Sequence, residues 1–244
     1  MIRLVRAELV KLTTTRLFLW LGLLIFGLSA FVTSTRIAST SVSQLTILSE
    51  QRSIAQFAGI GAIVAVIVGI VVTAGEYAHG TIAHTFLATP VRKRVMAAKV
   101  LGGALAGALI AAFSEIVTWL IAAVWLWGKS VPVQLDDRSI LRSYLGILGA
   151  GALAAVVGVG IGALFRRQTA AIVLALLWLL VGEPVLSIAG GQRYAPGHTI
   201  AAVAAGGTSS SDLLHFGPGL LVALAYAGVF AVAGTVVIDR TDVN

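Results

Sequence analysis

The chain has 244 residues, of which 58% are hydrophobic and only 11% charged, and its formal net charge is +7. Its mean hydropathy is +0.99, whereas soluble domains carry about a quarter charged residues, so a large aqueous catalytic domain is excluded. With no cysteine, disulfides, thiolate-bound haem, iron–sulfur clusters and cysteine-rich zinc sites are excluded as well.

A hydrocarbon core about 30 Å thick takes roughly 20 apolar residues of helix to cross. Stretches of that kind fall near residues 17–35, 54–74, 97–126, 144–165, 170–189 and 218–238. The expected fold is an all-α polytopic membrane protein, one transmembrane domain of six helices over residues 1–244. If the N-terminus starts in the cytoplasm, Arg3, Arg6, Lys11, Arg16, Arg92, Lys93, Arg94, Lys99, Arg166, Arg167 and Arg240 lie inside. Arg36, Arg52, Lys129, Arg138, Arg142 and Arg193 then lie outside. Eleven basic residues against six follow the positive-inside bias and predict a multi-pass protein of the cell membrane, plasma or inner, with both termini cytoplasmic. The basicity is mostly a topology signal, so no nucleic-acid partner is expected. The lipid bilayer is, since each surface cation near anionic headgroups contributes about 1 kcal/mol.

In chain order, MIRLVRAELVKLTTTR places Ile2, Val5, Leu9 and Leu12 near one helical face and Arg3, Arg6 and Lys11 on others. Two readings stand: an interfacial helix lying on the inner surface, or an orientation signal continuous with the first span. A cleavable signal peptide is disfavoured by Glu8 and by the lack of a clear small-residue cleavage site.

The segment TAGEYAHGTIAHTFLATPVRKRVMAAK, Thr73 to Lys99, holds two helix-start signals. Thr73 and Glu76 have capping-box spacing, and Gly75 would help to break the incoming span. A short cytoplasmic helix over residues 76–87 is expected to follow. Thr89 is then the expected N-cap of the next helix, with Pro90 at its first position, where a missing N–H costs nothing. Arg92, Lys93 and Arg94 oppose that helix's dipole, and retention on the cytoplasmic side is a sufficient reason for them. Lys99, one turn deeper, is expected to snorkel to the same interface.

Glu115 falls midway along the third span, where a carboxylate costs roughly 2.5–3.5 kcal/mol on insertion scales. It either lines a translocation path, binding a cation or a proton, or is a protonated acid bonded to another span. Gly103 and Gly107 share a face, as do Ala154, Gly158 and Gly162, which predicts close helix packing. Asp136 and Asp137 read as a solvated turn between Pro132 and Arg138. Trp20, Trp125 and Trp127 sit near predicted boundaries, as interfacial anchors do. At the outer end of the fifth span Pro184 predicts a break or re-entrant turn, with Glu183 gating the exit or satisfying freed backbone donors. Residues 189–218 read as the main outer loop, within which Pro196–Ala205 is apolar enough to dip back as a short helix. Ser209, Asp212 and His215 lack a nucleophile elbow and read as turn chemistry. No phosphate loop occurs, so the chain itself is not expected to bind ATP or another cofactor. His79 and His84 are poorly spaced for a ligand pair, so no metal is expected, and no catalytic constellation stands out.

The order of an acidic residue, Gly-Thr, Thr-Pro, a basic cluster and Ala-Ala-Lys in GEYAHGT…ATPVRKRVMAAK resembles the membrane subunits of type-2 ABC exporters. GEPVL at Gly182–Leu186 and RYAPGHTIAA at Arg193–Ala202 are similar to the fifth span and outer segment of short bacterial permeases of that kind. The resemblance implies an N-terminal interfacial helix, six spans and a coupling helix pressed against a separate ATP-binding subunit, which would hold ATP and Mg. It also implies a second permease copy, as homodimer or with a related permease, and export of an amphipathic compound, peptide or lipid. The chain would then be a transport subunit rather than an enzyme. The coupling segment implied by the likeness carries Glu76, Gly80, Thr81, Pro90, Arg92 and Arg94, with Tyr77, Ile82 and Phe86 as apolar knobs and His79 and His84 beside them. The alternatives are an ordinary interfacial loop at this segment, and for the whole chain an ion-coupled secondary transporter or channel using Glu115.

Overall fold

The computed structural model describes residues 1–13, 16–134, 138–207 and 212–239. Among these the all-α expectation holds, with no strand and with six helices long and apolar enough to cross a membrane. Asp136, Asp137, Ser209 and Arg240 lie outside the described residues, as do the side chains of Leu12 and Arg138.

Helix α1 (Ile2–Thr13) precedes the first span, α2 (Arg16–Ser39). Short helices α3 (Val42–Leu45) and α4 (Leu48–Ala55) lead through one 3-10 turn into α5 (Ile60–Ala78). Helix α6 (Ile82–Ala88) is followed by α7 (Arg92–Gly128) and α8 (Arg138–Phe165). The fifth span is α9 (Gln168–Leu177), a π-turn over Trp178–Gly182, and α10 (Glu183–Ile188). Helix α11 (Pro196–Ala204) precedes the last span, α12 (Phe216–Asp239).

Helix α8 is the centre of the bundle and packs on α5, α7, α11 and α12. In hydrocarbon there is no water to expel between helices, so backbones must come close enough for dispersion to act, and small residues permit it. A Cβ on Gly158 would enter the Val66 carbonyl, and one on Gly69 would enter that of Ala155. Gly151 and Gly107 face each other across α7 and α8, where a Cβ on Gly151 would stand 2.5 Å from the Gly107 carbonyl oxygen. The predicted small-residue faces are therefore helix contacts. Helix α11 is the expected short helix of the 189–218 segment, and it is buried between α8 and α12 through Thr199, Ile200, Ala202 and Val203.

Two local expectations are overturned. The backbone of α5 runs unbroken through Thr73, Gly75 and Glu76, all buried, so no capping box forms there. Pro184 does not break the fifth span. Its ring withholds the N–H that the Leu180 carbonyl would accept, and a π-turn directly before it widens the helix while the chain continues.

Packing of this kind predicts an asymmetry between glycines. Gly158→Leu should overpack the α5–α8 contact and destabilise the protein by about 1–3 kcal/mol. Gly228→Leu, on α12 with open space around it, should leave the melting temperature of the detergent-solubilised chain unchanged.

Candidate functional site

The segment between the second and third spans is fixed by a chain reversal at Gly80. Gly80, in the left-handed region at φ 67°, follows the α5 C-cap His79. The Thr81 N–H donates to the Glu76 carbonyl at 2.9 Å and the Gly80 N–H to that of Tyr77 at 3.3 Å, the paired bonds of a Schellman motif. His79 Nδ1 stands 2.7 Å from the Gly75 carbonyl. Gly-Thr is therefore a helix stop, and α6 starts only at Ile82. Thr89 is extended, at φ −141° and ψ 91°, as a residue before proline must be. Helix α7 begins at Arg92 with Val91 as its N-cap, two residues beyond the expected start at Thr89–Pro90.

Glu76 closes a cluster of four charges contributed by α1, α5 and α7. Lys99 is 0% exposed and does not snorkel. Its ammonium donates to Glu8 Oε2 at 3.1 Å and the Val72 carbonyl at 2.9 Å, and pairs with Glu76 Oε2 at 2.9 Å. Lys11 completes the set, 2.9 Å from Glu8 Oε1 and 2.6 Å from Glu76 Oε1. The Thr85 hydroxyl of α6 donates to Glu76 Oε2 at 3.4 Å. Two carboxylates against two ammoniums leave no net charge, the condition for keeping ions away from water. Burial works against the charge of Lys11, yet its bonds to Glu76 and Glu8 hold its pKa above the usual lysine range. A lysine pKa raised on folding stabilises fully below the unfolded value, about 10.4, and that support is lost as pH rises through the folded value. Across neutral pH the contribution of Lys11 is constant.

Two arginines tie the same segment to the last span. Arg92 donates to the carbonyls of Ile238 at 3.1 Å and Asp239 at 3.3 Å, and its guanidinium lies 5.4 Å from the Phe86 ring centroid. Arg166 donates to the Val237 carbonyl at 3.2 Å and lies 5.7 Å from the centroid of Tyr77. Tyr77 and Phe86 are thus half-buried under cations, and Ile82 is buried, so none of the three is the free knob expected from sequence. The most exposed large apolar group of the segment is Leu87, at 83%, and Val91, four residues on, is exposed as well. Sequence reading passed over Leu87, although it directly follows Phe86 on the same short helix. His79, Thr81, His84, Pro90 and Arg94 of the same segment are exposed too.

At the opposite end of the bundle Glu183 is buried and bonds to α11. The Gly197 N–H donates to its Oε1 at 2.6 Å, and His198 Nδ1 is 2.9 Å from its Oε2. These are donors of the first turn of α11, where an acidic cap also suits the helix dipole. The satisfied helix is α11, and a Cβ at position 197 would stand 2.6 Å from Glu183 Oε2. Glu183, Gly197 and His198 border a cavity of about 620 Å³ that also meets Arg36, Gln56 and Leu180. Glu115 lies elsewhere, on a separate groove between α7 and α8, so the structure does not bring Glu115 and Glu183 to one path.

Comparison with known proteins gives no match to a family model and no match to a curated protein. The geometry of the 76–94 segment is therefore what bears on function.

Lys99→Met should leave two carboxylates facing one ammonium and cost about 3–5 kcal/mol, the range for breaking a buried ion pair. Lys99→Met combined with Glu8→Gln restores neutrality and should recover part of that loss in thermal melts. Gly197→Ala should displace Glu183 and lower the melting temperature, whereas Gly191→Ala, whose Cβ would meet the Leu186 carbonyl oxygen only at 3.9 Å, should not.

Proposed function

We propose that this chain is the membrane subunit of an ATP-driven exporter of the ABC type, coupling ATP hydrolysis on a separate subunit to outward movement of an amphipathic compound, peptide or lipid. The single observation that supports this reading best is the attachment of residues 76–94. A coupling element has to turn a push by a partner into a tilt of spans, which needs a rigid joint. Here the joint is the four-charge cluster among α1, α5 and α7, together with the two arginines that hold the end of α12. Leu87 and Val91 are the large apolar side chains that this fixed segment exposes, and Arg94 and His84 are exposed with them, in keeping with a shallow pocket on a partner. ATP and Mg belong to that partner in this reading, and the chain works as a transport subunit.

The same reading gives the second permease copy a place. The fifth span is mostly exposed along its length, and the cavity at Glu183 opens beside it, so a second copy or a related permease would enclose a path there with Glu183 at its outer end. The excess of basic residues at the end that carries α1 and residues 92–94 supports a cytoplasmic position for both termini in the cell membrane. The unpartnered carboxylate of Glu115 favours, by contrast, an ion-coupled carrier or channel that needs no ATPase.

Affinity purification from the native membrane in mild detergent, followed by mass spectrometry, separates the two. The exporter reading expects a stoichiometric ATP-binding subunit that is lost from Leu87→Asp while the variant keeps its melting temperature. Reproducible absence of such a subunit, with gradient-driven flux in vesicles abolished by Glu115→Gln, would replace it.

A further inference from the structure

The two sides of α1 carry opposite charge. Its one acid, Glu8, is buried in the four-charge cluster, and Leu9 packs against an apolar cluster of the spans. Arg3, Arg6 and Val10, spaced i, i+3 and i+7, share the face turned away from Glu8. All three are exposed, as is Ile2 next to them. No ion pair engages Arg3 or Arg6 among the described residues. The outward face is therefore cationic, with apolar side chains set among its charges.

The depth of α1 says what meets that face. Glu8 and the Val5 carbonyl lie against Gly102, ten residues into α7, so α1 stands about 15 Å along that helix from the Arg92 turn. The first large apolar side chain that α7 exposes is Leu101, at 49%, and Leu105 follows at 50%. On α2, Leu19 and Trp20 are exposed by 68% and 67%, one turn beyond Arg16. Both spans thus begin their lipid-facing surface at the level of α1, which is the level of the headgroups. Residues 79–94 lie on the aqueous side of it, where a soluble partner has access.

We propose that the Arg3–Arg6 face of α1 is a docking surface for anionic phospholipid headgroups, and that a lipid held there braces α1 from outside while Glu8 holds Lys99 from inside. Guanidinium groups bind phosphate oxygens through paired N–H donors, and a headgroup with net negative charge brings no ammonium of its own to compete for them. Ile2 and Val10 suit the boundary between headgroups and acyl chains, where such a helix lies. A ligand that binds the docked helix adds to its stability by mass action, so the four-charge cluster is more firmly closed in an anionic leaflet. The surface belongs to a single chain and does not depend on an ATPase partner.

The test uses the full chain alone in nanodiscs of phosphatidylcholine with a fixed fraction of lipid carrying a doxyl quencher on its acyl chain, either phosphatidylglycerol or phosphatidylcholine. The chain has no cysteine, so Ala7→Cys, on exposed α1, and Leu105→Cys, on exposed α7, each give one site for a fluorophore. At position 7 the quencher on phosphatidylglycerol should be enriched about five-fold or more over that on phosphatidylcholine, the ratio expected for one surface cation or more. At position 105 the ratio should stay near one. Arg3→Gln with Arg6→Gln should bring the ratio at position 7 close to one, Arg3→Lys with Arg6→Lys should keep most of it, and high salt should lower it. Phosphatidylglycerol should also raise the melting temperature of the unsubstituted chain more than that of the double glutamine variant. Equal quenching by the two lipids at position 7, a preference that persists in the double glutamine variant, or an equal rise in melting temperature in both proteins would each overturn the proposal. Persistent preference together with loss of a co-purifying protein from that variant would assign the face to the protein instead.

Discussion

A lysine ammonium with no exposed surface sits where the second and third spans meet the N-terminal helix, and the architecture of that end of the molecule follows from keeping it paired. Lys99 needs two carboxylates within reach. One comes from Glu76 near the end of α5 and the other from Glu8, which forces α1 down onto α7 at Gly102, where a larger residue would meet the Glu8 side chain. The amphipathic helix is consequently not a loose surface element. Its buried face carries an acid, and its orientation is set by charge as much as by hydrophobicity. With Lys11 closing the cluster, three elements far apart in sequence share one neutral set of ions, and movement of any one of them would leave the others with an unpaired charge.

That constraint gives the reversal at Gly80 its role. A helix end held by a Schellman motif is well defined in direction, and α6 leaves it directly under Thr85's bond to Glu76. The two arginines that cover Tyr77 and Phe86 then fasten the segment to the last described turn of α12 through the carbonyls of Val237, Ile238 and Asp239, and cations also suit that end of the helix dipole. What stays exposed is small and sharply bounded. At the opposite end Glu183 does comparable work with partners from α11, bringing the Gly182–Leu186 and Arg193–Ala202 stretches of sequence together as the cap of α11.

Much of the fold was legible because hydrocarbon imposes a simple rule: length and hydropathy placed all six spans within a few residues, except that the second, which with α4 and the 3-10 turn runs from Leu48 to Ala78, begins earlier and ends later than expected. Small residues at Gly107 and Gly158 also read correctly, since few purposes other than close packing explain them inside spans. Local chemistry was harder. Thr73 and Glu76 have the spacing of a capping box, but the same residues serve equally well inside a helix when Glu76 has two ammoniums to meet, and spacing alone does not distinguish the cases. Lys99 looked like a snorkelling residue because Glu8 lies 91 positions away, beyond any window of periodicity. Tyr77 and Phe86 could not be seen as covered without knowing where Arg92 and Arg166 fold back, and that left Leu87 unnoticed. A trace was available: Glu8, Glu76 and Lys99 are charges in mostly apolar surroundings, and such charges seek one another.

The central position of α8 bears on the order in which the protein is assembled. Helices α1, α5 and α7 are all synthesised before α8, so the four-charge cluster can close while the fourth span is still absent. The glycine faces of α5 and α7 must then wait in the bilayer, covered by lipid, until α8 arrives to displace it. Electrostatics can thus join three helices before dispersion between close backbones brings in α8, and the loosely held fifth span, α11 and α12 follow it in the chain.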